Sequence, residues 1–95
     1  MIKLKYKMQN NQLRVTQITN LLNEIKQELS IEDIKNIEEF IQNNEFGLAY
    51  ETLCCQIYEH ETPISCEFYE KISFYGTLIE LQPSIWLPLK ELIST

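Results

Sequence analysis

The chain has 95 residues, enough for one modest core and too few for a deep substrate cleft with its own lid. Its formal charge is −6, with +4 from Lys3, Lys5, Lys7 and Arg14 ahead of residue 15 and therefore −10 after it. That balance favours a basic partner and disfavours nucleic acid or an anionic membrane.

The run Ile2-Lys3-Leu4-Lys5-Tyr6-Lys7-Met8 alternates apolar residues with Lys, too charged and too short for the apolar core of a signal peptide. An edge strand here would lack a partner, since nothing later in the chain clearly supplies one. Residues 1–14 therefore read as a frayed basic arm, and Met8 offers a second candidate start. No stretch approaches the length of a membrane span.

Gly is scarce and the three prolines come late, so residues 15–95 read as an all-α domain, a compact bundle of four to five helices with short connections. Val15, Ile18, Leu21, Leu22, Ile25 and Leu29 share one side of a helical wheel, with Asn20, Asn23, Glu24 and Gln27 on the other, which predicts a first helix over about 14–29. Ser30 is placed to cap a second helix with Asp33 in its first turn, and Ile34, Ile37 and Ile41 form its buried stripe. Asn43 and Asn44 punctuate the chain, and either is suited to cap the next helix.

The third helix, about 45–60, has the most continuous apolar face: Phe46, Ala49, Tyr50, Leu53, Cys54 and Ile57. It is expected to be central. Pro63 disfavours helical geometry at Thr62, and Ser65 caps a fourth helix with Glu67 near its positive end and Phe68, Ile72, Tyr75 and Ile79 on its buried side. Gly76 inside that pattern costs about 1 kcal/mol against Ala and marks either a break or a close helix contact. A short terminal helix with Pro88 at its first position then closes the core with Trp86, Leu89 and Leu92.

Catalytic chemistry finds few candidates. His60 is the only histidine and has no metal-like spacing to Cys or to paired acids, so it reads as a helix-end residue. Cys54 lies on the apolar stripe as core filler, and Cys55 points elsewhere. Cys66 opens a helix, where a thiolate would be favoured, yet no general base accompanies it. An odd number of cysteines, two of them neighbours whose side chains diverge on a helix, argues against a disulfide framework and suits a reducing cytoplasm. No catalytic, metal or cofactor-binding residue is assigned.

Between Ser30 and Glu70 ten acids meet one basic side chain, Lys35. On the third helix the face opposite the core carries Leu48, Glu51, Cys55, Tyr58 and Glu59, a mixture suited to a protein partner. Glu45, Glu61 and Glu67 lie near the helix ends. These eight residues are the predicted partner-binding surface. Burial of Leu48 and Tyr58 under neighbouring elements, and simple solvation of the glutamates, are the competing structural explanations.

The segment Glu45-Phe46-Gly47-Leu48-Ala49-Tyr50-Glu51-Thr52-Leu53-Cys54-Cys55-Gln56-Ile57-Tyr58-Glu59, followed by Pro63-Ile64-Ser65 and later by Trp86-Leu87 and Leu92-Ile93, resembles the MafI family of small immunity proteins. The resemblance covers roughly residues 15–93 and rests largely on helical-core positions. It implies a non-enzymatic, cytoplasmic antitoxin that neutralises the C-terminal toxin domain of a contact-dependent-inhibition or Maf-type protein, an RNase of the EndoU type in some systems. Because nuclease sites are basic, an acidic helical surface would complement them. The protein is then expected to act as a monomer or weak homodimer that touches neither nucleic acid nor membrane directly. A small acidic regulatory or adaptor protein that binds a basic host protein is the alternative.

Overall fold

Apolar side chains recurring every three or four residues can be buried only if helices pack side by side. The chain follows that pattern. The structure is a computed structural model that describes the backbone of residues 2–94 and the side chains of residues 11–94. Helix α1 spans Ile2–Ile25, α2 Ile31–Gln42, α3 Phe46–Glu59 and α4 Cys66–Leu78, and short 3-10 segments cover Lys26–Glu28, Pro83–Ile85 and Leu87–Leu92. The fold is all-α, with the C-terminal pair of 3-10 segments serving as a fifth element. Among the described residues no strand forms, only a single parallel bridge between Ile64 and Ile93. There the Ile64 N–H donates to the Leu92 carbonyl at 3.1 Å and the Ser94 N–H to the Ile64 carbonyl at 3.0 Å, fastening the C-terminal segment to the α3–α4 connection.

Helix α1 begins earlier and ends sooner than the apolar pattern suggests. Its backbone is helical from Ile2, so the expected frayed arm and the boundary at residue 14 correspond to no break in this helix. Leu, Lys and Met are good helix formers, and extending a helix already nucleated by packing costs little per residue. The side chains of Lys3, Lys5 and Lys7 lie outside the described residues. At the other end α1 stops at Ile25 and passes into the 3-10 turn, after which Leu29 adopts extended backbone and turns back into the core, 8 % exposed.

The starts of α2 and α4 are as expected from their caps. Ser30 Oγ accepts from the Asp33 N–H at 3.1 Å, and Ser65 Oγ from the Phe68 N–H at 2.9 Å. The helix ends share a device that the chain's Gly content does not advertise. Asn44, Glu61 and Glu80 sit at φ of 59°, 49° and 61° just past α2, α3 and α4. At each, a pair of reversed hydrogen bonds closes the helix: Asn44 N–H to Ile41 and Glu45 N–H to Phe40, Glu61 N–H to Tyr58 and Thr62 N–H to Ile57, Glu80 N–H to Thr77 and Leu81 N–H to Gly76. These are Schellman endings, normally built on glycine. Asn44 thus terminates α2. It does not cap α3, whose N-cap is Glu45 without a side-chain capping bond.

The core joins all four helices and the C-terminal segment. Ile18, Leu21, Leu22 and Ile25 of α1, Ile37 and Ile41 of α2, and Phe68, Ile72 and Tyr75 of α4 surround α3, whose Ala49, Tyr50, Leu53 and Ile57 are fully buried. The predicted third-helix stripe is therefore the centre of the molecule. Tyr50 donates from its hydroxyl to the Ile72 carbonyl at 2.7 Å, and its ring centroid lies 5.6 Å from that of Tyr75 and 6.2 Å from that of Trp86, the latter pair crossing at 75°. Helical carbonyls point toward the C-terminus, so the Ile72 oxygen lies beside position 76. A Cβ on Gly76 would lie 2.6 Å from the Tyr50 hydroxyl and well inside contact with the Trp86 ring. Gly76 is thus a close contact, and α4 runs unbroken through it. Every buried side-chain N or O among the described residues has a hydrogen-bond partner.

Candidate protein-binding surface

Helix α3 turns its apolar stripe inward, so the residues between those positions must face outward. Leu48, Glu51, Cys55, Tyr58 and Glu59 are all exposed, with Leu48 at 46 % and Tyr58 at 45 %. Neighbouring elements do not cover them. Cys55 Sγ lies 4.0 Å from Glu59 Oε2, one turn further along the same ridge. Glu45 and Leu48 also line a shallow depression at the start of α3, shared with Arg14 of α1 and with Asn44 and Glu80, two of the left-handed residues that end the neighbouring helices. Glu61 is exposed in the turn after α3.

Glu67 belongs elsewhere. It stands on α4 beside Lys71, whose Nζ lies 3.1 Å from Glu24 Oε2 of α1 and 4.0 Å from Glu67 Oε1. These pairs are exposed and contribute little to stability, but they locate Glu67 on the α1–α4 side of the molecule. The eight predicted residues therefore divide between the α3 ridge with its ends and a separate rim on α4.

That rim borders a groove of about 960 Å³ between α1 and α4, a feature that the sequence pattern did not reveal. Gln17, Asn20, Leu21 and Glu24 on α1, and Glu67, Glu70, Lys71 and Phe74 on α4, each follow an i, i+3, i+4, i+7 pattern and line its two walls. Phe74 is 63 % exposed. Its position off the Phe68–Ile72–Tyr75–Ile79 stripe is the signal that could have revealed it.

The residues weighed for chemistry are dispersed. His60 ends α3 with Nε2 3.9 Å from Asp33 Oδ2, where it joins the end of α3 to the start of α2. Cys54 is buried, and burial pushes its thiol up to about 12, far from a thiolate at neutral pH. Cys55 and Cys66 are exposed. Tyr75 is likewise pushed up to about 12 by burial, against an opposing pull from Arg14, and Tyr50 is raised further, chiefly by burial. All three shifts belong to the core. Among the described residues no group of three His, Cys, Asp or Glu side chains is arranged to hold a metal ion, and no helix is long and apolar enough to cross a membrane. No family model matches the chain, and neither a curated protein nor a solved structure is detectably similar to it.

Proposed function

We propose that this chain is an immunity-type protein that binds a basic toxin domain, a nuclease of the RNase class, and blocks its active or RNA-binding site without chemistry of its own. The observation that carries the reading is the exposed ridge of α3, where Leu48 and Tyr58 stand among Glu51 and Glu59 on the helix that is also the centre of the core. Interface anchors on a rigid element lose little entropy on binding, and Tyr offers both apolar area and a polar tip. The acidic excess after residue 15 supplies attraction toward a phosphate-binding cleft. The resemblance to the MafI family agrees with this chemistry.

The test is whether a toxin gene lies immediately upstream and, if so, titration of this protein into the purified C-terminal domain of that toxin acting on RNA. Protection should be complete at one immunity protein per toxin domain, and substoichiometric protection would contradict a binding mechanism. Glu51→Lys combined with Glu59→Lys should slow association most at low salt and leave the helical spectrum intact, because long-range steering is screened beyond about 10 Å at 0.1 M salt. Unchanged association and dissociation rates across a salt series would place the interface away from α3.

A further inference from the structure

A standard interface covers about 800 Å² per partner, roughly an eighth of the 6525 Å² that this chain exposes. The ridge from Leu48 to Glu59 is a convex strip about 17 Å long and one side chain wide. It is too small to be the whole contact. The groove between α1 and α4 has what the ridge lacks: concavity, an apolar floor and a single large aromatic standing free of the core. Leu21 and Tyr75 form the floor, 4 % and 2 % exposed, and Phe74 rises from the α4 wall at 63 %. Three carboxylates, Glu24, Glu67 and Glu70, share this groove with one cation, Lys71. Lys71 is already engaged by Glu24 and Glu67. No ion pair to Glu70 occurs among the described residues, so the rim keeps a negative excess on the α4 side.

We infer that this groove is the docking site for a basic amphipathic segment of the partner protein, which lays an apolar side chain against Leu21 and Tyr75 and places an arginine over Phe74 and beside Glu70. The charge of the rim selects this occupant. A guanidinium is the cation that stacks on an aromatic face while it hydrogen-bonds a carboxylate in its own plane, which Phe74 and Glu70, four residues apart on one helical face, both invite. Lys71 of α4 reaches across the groove to Glu24 of α1 at 3.1 Å, with Glu67 at 4.0 Å, and makes no ion pair with Glu70 among the described residues. The amides of Gln17, Asn20 and Asn23 on the opposite wall offer both donors and acceptors to polar groups of the segment. A helix laid in a groove, with anchors at i, i+3 or i+4, is the binding mode that matches two such walls.

The inference rests on the reading that the partner is a basic protein, and two probes separate them. The first is a synthetic fifteen-residue amphipathic peptide of Leu and Arg, with an otherwise identical Leu and Glu peptide as control, titrated into the isotopically labelled protein. Amide shifts should cluster at Leu21, Glu24, Glu70, Phe74 and Tyr75, saturate with the Arg peptide and be absent with the Glu peptide. Phe74→Ala and Glu70→Lys, each checked by thermal melting, should each weaken binding at least tenfold. Shifts centred on α2 or α3, equal binding of the two peptides, or concentration-dependent self-association through Phe74 would overturn the proposal. The second probe is the candidate toxin domain of the proposed function, tested as a purified protein. If it binds wild type and a protein carrying both Phe74→Ala and Glu70→Lys equally, the groove is refuted and the toxin reading stands. If the Arg peptide occupies the groove and the toxin domain binds neither form, the docking site stands and the toxin reading fails.

Discussion

Replacing Gly76 by Ala sets two well-measured tendencies against each other, and the structure decides the sign. In an exposed helix interior the change would stabilise by about 1 kcal/mol, since Ala loses less backbone entropy and covers the helix better. At position 76 the new methyl would meet Cε3 and Cζ3 of Trp86 and the Tyr50 hydroxyl. Trp86 is 5 % exposed and packs against the Tyr50 ring of α3 and against position 76 of α4. It can retreat only by opening the C-terminal cap of the core. Overpacking of this kind costs about 1–3 kcal/mol. Loosening the buried Tyr50–Ile72 hydrogen bond adds about 1–3 kcal/mol. Set against the helix gain, the net destabilisation is about 1–5 kcal/mol, which for a domain of this size lowers the melting temperature by about 5–40 °C. Gly47 is the internal control, because a Cβ there meets only the Leu81 Cδ2 at 3.9 Å. Gly47→Ala should stabilise by about 0.5–1 kcal/mol. Urea and thermal unfolding of both variants, followed by circular dichroism, read the two signs. A Gly76→Ala protein as stable as wild type would show that Trp86 and Tyr50 do not hold α4 at this distance.

Three further outcomes are expected from the same geometry. Glu61→Gly and Glu80→Gly should each stabilise by about 0.5–1 kcal/mol, because both occupy left-handed backbone that costs a residue with a Cβ about 1–2 kcal/mol, partly offset by the freer unfolded chain; loss of stability in both would mean that their side chains make contacts worth more than the backbone strain. Stability should be independent of these groups below about pH 8.5 and fall above it, since Cys54, Tyr75 and Tyr50 stay protonated in the fold while the unfolded chain releases Cys54 near pH 9 and the tyrosines near pH 10. The slope should be steepest near pH 11, at about 3–4 kcal/mol per pH unit, and ease toward pH 12 as Cys54 and Tyr75 begin to ionise in the fold, and Cys54→Ala should delay the onset to about pH 9.5; a denaturation midpoint that is flat from pH 8 to 12 would contradict the burial of all three. Under native conditions a thiol reagent should label Cys55 and Cys66 rapidly and Cys54 only at the rate of unfolding, so three equally fast thiols would refute the packing of α3.

The apolar spacing of the sequence determined the helices, their buried faces and the centrality of α3, because period and burial are local consequences of where the side chains project. Leu53, Ile57 and Ile72 are fully buried, on the stripes their spacing assigns. Ser30 and Ser65 were likewise legible, since a cap acts within three residues. What tertiary structure decided depends on distance between elements. Gly76 reads in sequence as a break or a contact, and only the approach of Tyr50 and Trp86 makes it a contact. Glu61 and Glu80 accept left-handed backbone because Thr62 and Leu81 must turn back toward the core, a demand that comes from helix packing and overrides their own preference. The candidate surface divides in the same way. The exposure of Leu48, Glu51, Tyr58 and Glu59 follows from the period of one helix, whereas Glu67 shares only their charge and lies on α4 beside Lys71. The groove around Phe74 exists only because α1 and α4 meet, bringing Glu24 to Lys71 and Arg14 to Tyr75 across gaps of 47 and 61 residues. Periodicity along one helix carries no information about which second helix will stand beside it.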